Sequence, residues 1–314
     1  MNERWTEARM PDQSGRTVLI TGANSGLGLR SAEVLAAHGA RVLLGCRSPE
    51  RGETALERVR AAASGAKPEL VQLDLADLAS VREAAAKVRE LTGDALDVLM
   101  NNAGVMATAQ GRTADGFELQ FGTNHLGHAA LTWLLMPALR GAPAGRVVTL
   151  SSVAAVGAHL HLDDPNAERR PYRAAAAYGQ AKLANQTFGI ELDRRLRAAG
   201  STVLSVLAHP GYSATGLTTN MASSYRNPVL RTALREIGKL GGMLLAQRVE
   251  QGALPQLYAA TAPDVQGGDY LGPAFAVRGR PAKVRTLGPA RNPEAGTRLW
   301  ELTAELTGIT PDPS

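Results

Sequence analysis

Short aliphatic and β-branched runs alternate along this chain with longer stretches whose apolar residues recur at helical spacing. Thr17 to Ile20, Ala40 to Gly45, Leu70 to Leu73, Leu96 to Met100, Arg146 to Leu150 and Thr202 to Leu207 read as strands, and a further short strand falls within Gly268 to Val277. Leu27 to Ala37, Glu50 to Ala63, Leu78 to Leu91, Phe117 to Leu139 and Arg173 to Ala199 read as helices. Strands apolar on both faces and separated by helices predict an α/β, Rossmann-like fold: a doubly wound parallel sheet of about seven strands with right-handed crossovers. The alternation predicts one domain over residues 15–273. An N-terminal extension, 1–14, precedes it, and a C-terminal extension, 274–314, follows with a helix from Glu294 to Leu306.

The pattern weakens past Pro210. Tyr212 to Asn227 is polar and short of periodic apolar anchors, while Val229 to Ala260 holds two helical stretches interrupted by Gly241-Gly242 and Gly252. A helical insertion over about 212–260, lying beyond the sixth strand, is well placed to cover a ligand as a mobile segment.

Composition narrows the classes. With 314 residues, 44% hydrophobic and 20% charged, the chain is globular rather than disordered or fibrous. Aromatics are only 4%, which argues against the stacking platforms that bind single-stranded nucleic acid. The lone Cys46 excludes an internal disulfide and a thiolate metal set. The net charge of +5 is spread among acids, and the basic run Arg278, Arg280, Lys283, Arg285, Arg291 reads first as a solvated surface, so no nucleic-acid partner is expected. The N-terminus has no apolar signal region, and the longest apolar stretch, Leu126 to Leu139, is broken by His128 and Pro137; a cytoplasmic chain with no membrane span is expected.

Candidate chemistry gathers at the strand ends. Gly22-Ala23-Asn24-Ser25-Gly26-Leu27-Gly28 lies between the first strand and first helix, where glycines let backbone N–H groups and a helix N-terminus approach a pyrophosphate. The second strand ends Gly45-Cys46-Arg47-Ser48 with no carboxylate, so Arg47 is read as the partner of a ribose 2′-phosphate, a surface arginine being the alternative. After the third strand comes Asp74-Leu75, whose carboxylate suits an adenine amino group or, like that of Asp77, a helix cap. The fourth strand runs into Asn101-Asn102-Ala103-Gly104, the fifth into Ser151-Ser152 and the sixth into His209-Pro210-Gly211. Ligands of open α/β sheets bind in the crevice outside the carboxyl ends of the strands. Tyr178 and Lys182, four apart on a helix, share a face, and an ammonium beside a phenol makes an acid/base device.

In these motifs the chain resembles the short-chain dehydrogenase/reductase family. TGANSGLG is similar to its cofactor loop, NNAG to its fourth-strand motif, Ser152 to its substrate-polarising serine, YGQAK to its catalytic tyrosine and lysine, and HPG to the motif after its sixth strand. The 26 residues from Ser152 to Tyr178, with SSVA, AYGQAKLAN and HPG, look more like the retinol dehydrogenase and WW-domain oxidoreductase branch, though no WW domain is present.

The resemblance implies hydride transfer between nicotinamide and an alcohol or carbonyl, with Asn124 joining Ser152, Tyr178 and Lys182 in the proton relay. It further implies a homodimer or homotetramer. Gly22, Asn24, Ser25, Gly26, Leu27, Gly28, Arg47, Asp74, Leu75, Asn101, Ala103, Gly104, Tyr178, Lys182, Pro210 and Gly211 form the expected cofactor set. NADP(H) is the preferred cofactor and NAD(H) the alternative; a non-catalytic dinucleotide-binding regulator is the other class considered. The expected substrate is a small, partly apolar carbonyl or alcohol. No metal is expected, since His125 and His128 lack a carboxylate partner, and Cys46 is read as packing.

Overall fold

The computed structural model describes residues 5–211 and 247–311. The expected covering segment Tyr212 to Asn227, and the first part of the helical stretch after it, lie outside the described residues.

Eight strands form one sheet in the order β3-β2-β1-β4-β5-β6-β7-β8. They are β1 (Thr17–Thr21), β2 (Arg41–Cys46), β3 (Glu69–Gln72), β4 (Val98–Asn101), β5 (Arg146–Leu150), β6 (Leu204–Ala208), β7 (Tyr270–Pro273) and β8 (Pro281–Val284). All pairs are parallel except β7 with β8, where Tyr270 faces Val284. The last strand exceeds the seven expected. Its four residues, Pro-Ala-Lys-Val, offer almost no period, and a short edge strand with proline at its start pairs only because a hairpin turn returns the chain to β7.

The helices are α1 (Gly26–Ala37), α2 (Pro49–Ala62), α3 (Leu78–Thr92), α4 (Leu119–Phe121), α5 (Gly127–Leu134), α6 (Met136–Gly141), α7 (Ala174–Ala198), α8 (Val249–Thr261) and α9 (Pro293–Thr307). The helix expected from Phe117 to Leu139 is broken in two places. Gly122–Leu126 winds as a π-helix, and α5 ends before Pro137, which lacks an amide proton and starts the next turn. Glycine permits the first break to pack closely, since a side chain at Gly127 would run into the Leu75 carbonyl.

Strand alternation divides the interior into two faces. Leu19, Leu43, Leu99 and Val147 join α3, α5 and α7 on one, while Val18, Ile20, Val42 and Val148 join α1, α2 and α8 on the other. The chain beyond Pro273 contributes to the first. Trp300 of α9 stacks on Phe188 at 5.6 Å and meets Trp133 edge-on at 4.9 Å. No helix among the described residues is long and apolar enough to cross a membrane.

Candidate active site

A crevice of about 410 Å³ opens at the carboxyl ends of the central strands. Of the expected residues, Gly22, Asn24, Ser25, Gly26, Leu27, Gly28, Arg47, Asp74, Leu75, Ala103, Gly104, Tyr178, Lys182 and Pro210 line it. The glycine turn is built for close backbone approach. Gly22 and Gly26 hold φ of +67° and +56°, and a Cβ at Gly28 would lie 2.5 Å from both the Gly22 carbonyl and the Asn102 amide nitrogen. Ser25 precedes α1 without a capping hydrogen bond from its side chain. An anion therefore meets the N-terminal amides of a twelve-residue helix with no side chain competing for them.

The turn is tied to the β4 end through Thr21. Its Oγ1 accepts the amide protons of Asn102 and Ala103, each at 2.9 Å, and the Asn102 side chain donates to the Thr21 carbonyl at 2.7 Å. Asn102, not Asn101, faces the crevice. Asn101 turns into the interior and donates to Thr132 Oγ1 at 2.9 Å, because successive side chains at a strand end point to opposite faces. Gly211 is buried with φ +68° and packs against the Val277 carbonyl and Pro273; it shapes the turn after Pro210 rather than the wall.

At one end, Arg47 and Arg51 line the crevice beyond β2, with Ser48 between them. Neither guanidinium has an acidic partner among the described residues. Arg51 escaped the sequence reading because it stands in the first turn of α2, where it resembles any exposed helix charge. Asp77 takes the cap of α3, accepting from Ala79 and Ser80 amides, so Asp74 is left at the crevice, where its carboxylate accepts from the nearby Ala76 amide. Cys46 is buried and its thiol is pushed up to about 11 by burial, in keeping with packing.

At the other end, α7 carries Tyr178 and Lys182 one turn apart, with the Lys182 Nζ 5.8 Å from the centre of the phenol ring. Burial pushes the phenol up to about 12, opposed by a hydrogen bond from Ser152. Lys182 is pulled down to about 8 by burial, and its Nζ donates to the Leu150 carbonyl at 3.1 Å. Desolvation is the largest influence on both groups. Ser151 fixes the helix from beneath, donating to the Lys182 carbonyl at 2.8 Å. Asn124, fully buried in the π-helical turn, uses its whole amide on Val105: it accepts from the Val105 amide and donates to the Val105 carbonyl, both at 2.8 Å.

Val105, Met106, Thr108 and Thr123 also line the crevice, and the buried hydroxyls of Thr108 and Thr123 have no hydrogen-bond partner among the described residues. Nothing in the sequence marked them, since the loop from Val105 to Thr108 has no period and Thr123 reads as one more position of a helix. The residues present thus fit a nicotinamide dinucleotide: a glycine cradle a side chain would fill, cations at one end, and polar atoms awaiting a partner at the other. His159 and His161 stand 6.3 Å apart, and neighbouring Asp163 and Asp164 pair with Arg298 and Arg170. No cluster suited to a metal occurs among the described residues.

The family model described as short chain dehydrogenase matches residues 16–226. Human retinol dehydrogenase 13 is 39% identical over 301 residues, covering 94% of this chain and 85% of that protein. Mouse polyprenol dehydrogenase is 39% identical over 307 residues, covering 95% and 86%. Among solved structures, an uncharacterised protein from Mycobacterium paratuberculosis superimposes with a TM-score of 0.81 at 40% identity, covering 99% of this chain and 100% of that one. RhlG of Pseudomonas aeruginosa, in an active-site complex with NADP, gives a TM-score of 0.61 at 25% identity, covering 82% and 94%. With glycine turn, strand ends and tyrosine–lysine helix assembled around one crevice, the chain belongs to the short-chain dehydrogenase/reductase family, on its retinol dehydrogenase branch, and is an oxidoreductase of alcohol and carbonyl groups.

Proposed function

We propose that this enzyme prefers NADP(H) and interconverts a partly apolar alcohol and its carbonyl compound, with Ser152, Tyr178, Lys182 and Asn124 as its catalytic set. The observation that carries the cofactor preference is the pair Arg47 and Arg51 at the end of β2, where an NAD site would carry a carboxylate. Two cations without acidic partners favour a 2′-phosphate and gain little from a bare ribose hydroxyl.

A nicotinamide dinucleotide, when bound, supplies or accepts the hydride. Gly22, Gly26 and Gly28 admit its pyrophosphate to backbone amides, and Tyr178, Lys182 and Pro210 frame the opposite end. Ser152 turns the hydroxyl proton that it gives the Tyr178 phenol toward the substrate oxygen and donates its hydrogen bond there. Tyr178 is protonated near neutrality and gives its proton to that oxygen in the reductive direction; it takes the proton back in oxidation. Lys182 retains most of its charge below pH 8 and stabilises the phenolate left behind. Fixed donors facing the developing oxyanion account for most of the rate enhancement.

The apolar character of Val105 and Met106, with Val156 exposed just beyond Ser152, supports an apolar substrate, and the similarity to retinol and polyprenol dehydrogenases points to a long-chain allylic alcohol or its aldehyde. The test is a panel of retinal, a prenyl aldehyde and small aromatic ketones, followed by NADPH and NADH absorbance. Turnover of retinal or the prenyl aldehyde with NADPH is expected; absence of turnover across the panel with either cofactor sinks the reading.

A further inference from the structure

His128 is buried, lies one turn beyond Asn124, and makes contact with two separate parts of the site. Its Nε2 is 2.8 Å from Thr21 Oγ1, and its Nδ1 is 3.0 Å from the Asn124 carbonyl oxygen. The direction of both bonds follows from counting. Thr21 Oγ1 accepts from the Ala103 amide and, shared with the Met100 carbonyl, from the Asn102 amide, so its own proton is left to be given away. The nearer acceptor is the ring nitrogen of His128, since the Met100 carbonyl lies at 3.4 Å. Nε2 is then an acceptor, and the one proton of the neutral ring sits on Nδ1, where it is donated to Asn124. Burial pushes the ring down to about 3, so this tautomer persists across the working range of pH.

The two ends of the ring reach different functions. Thr21 ends β1 and holds the amides of Asn102 and Ala103, the residues against which the Gly22 and Gly28 cradle packs. Asn124 holds Val105, a wall of the crevice, and its Oδ1 lies within 3.2 Å of the Cβ position at Gly104, with Lys182 Nζ at 3.6 Å from the same point. The polypeptide between Thr21 and His128 spans more than a hundred residues, and no backbone pairing joins the π-helical turn to the glycine turn.

We propose that His128 is a positioning residue that braces the cofactor cradle against the Asn124 wall: its Nε2 seats the glycine turn through Thr21, and its Nδ1 seats Asn124 beside the tyrosine–lysine pair. This rests on the function proposed above. The brace acts through its two ends separately, and that separability distinguishes it from a side chain that merely fills space.

Asparagine and glutamine test the two ends. His128→Asn places an amide donor near the Nδ1 position and withdraws from Thr21, whereas His128→Gln places an amide oxygen near the Nε2 position and withdraws from Asn124. Each retains one bond of a pair that is worth about 3- to 10-fold per bond. NADPH affinity is read by fluorescence titration without substrate, and the hydride step by single-turnover reduction of retinal at saturating NADPH. For His128→Asn the loss of NADPH affinity should exceed the loss of rate; for His128→Gln the order should reverse. Parallel losses in both variants, reversed order, or wild-type values throughout overturn the brace.

Should either variant fail to fold, the wild-type protein labelled with ¹⁵N-histidine supplies the decision. One neutral ring protonated at Nδ1 and invariant from pH 5 to 8 is expected for His128, and an Nε2 proton or a titration in that range overturns the assignment. If wild-type enzyme leaves retinal untouched while the titration and nitrogen shifts behave as described, the function has failed and the brace between Thr21 and Asn124 has not.

Discussion

Replacing Tyr178 by phenylalanine separates chemistry from structure more cleanly than any other change at this site. The side chain is 7% exposed, and its hydroxyl has one polar partner among the described residues, Ser152, which also accepts the Ala154 amide proton at 3.2 Å. Phenylalanine keeps the ring and its packing, so the structural cost is a single hydrogen bond, about 1 kcal/mol. In a domain of this size that shifts the melting temperature by only about 2–4 °C. The catalytic cost is of a different order. With the phenol pushed up to about 12, Tyr178 is a protonated donor at neutral pH, and phenylalanine leaves no hydroxyl at that position. A positioned acid contributes ~10² to 10⁴ in rate, equivalent to about 3–5 kcal/mol of barrier. Stopped-flow single turnover with retinal and NADPH should show that loss, while NADPH titration shows an affinity within about threefold of wild type. A folded Tyr178→Phe enzyme that reduced retinal at near-wild-type rate would refute the assignment of the proton donor.

Arg47→Asp exchanges a phosphate partner for a like charge, so NADPH affinity should fall by about tenfold or more while NADH affinity holds or improves; wild-type enzyme binding the two equally would refute the preference. Lys182, held at about 8 by burial, is charged below that pH and neutral above it, so kcat/KM for carbonyl reduction should decline as pH rises through about 8. Lys182→Arg, which stays charged, should lack that inflection, and a wild-type profile flat from pH 6 to 10 would remove the lysine charge from the mechanism. His125, His128 and His209 are buried with values near 4, 3 and 4, below the 6.5 of an unfolded chain. Between those limits only the unfolded state takes up the protons, so stability is present above pH 6.5 and is lost on acidification, by about 1 kcal/mol per histidine at pH 5.5. A melting temperature unchanged from pH 6.5 to 5 would contradict this.

The parallel sheet, the crevice and most of its lining were legible in the sequence because they rest on local signals. Period marks buried strands and helices, and glycine, asparagine, tyrosine and lysine at strand ends mark a ligand edge whose chemistry depends on residue type and spacing. Arg47, Tyr178 and Lys182 are such positions, each set by a neighbour a few residues away. What lay beyond reach depended on distant partners. The strand Pro281–Val284 exists by pairing with β7, the π-helical turn at Gly122–Leu126 packs its first residue against Thr113, and the choice of Asn102 over Asn101 for the crevice follows from the face on which β4 ends. His128 is the sharpest case. In sequence it is a histidine in an apolar helix with no partner nearby, and its bonds to Thr21 and Asn124 arise because folding brings the ends of β1 and β4 onto the turn of a helix more than a hundred residues from the first. Local spacing encodes which groups are available; long-range packing alone sets which way each one points and how its protons are held.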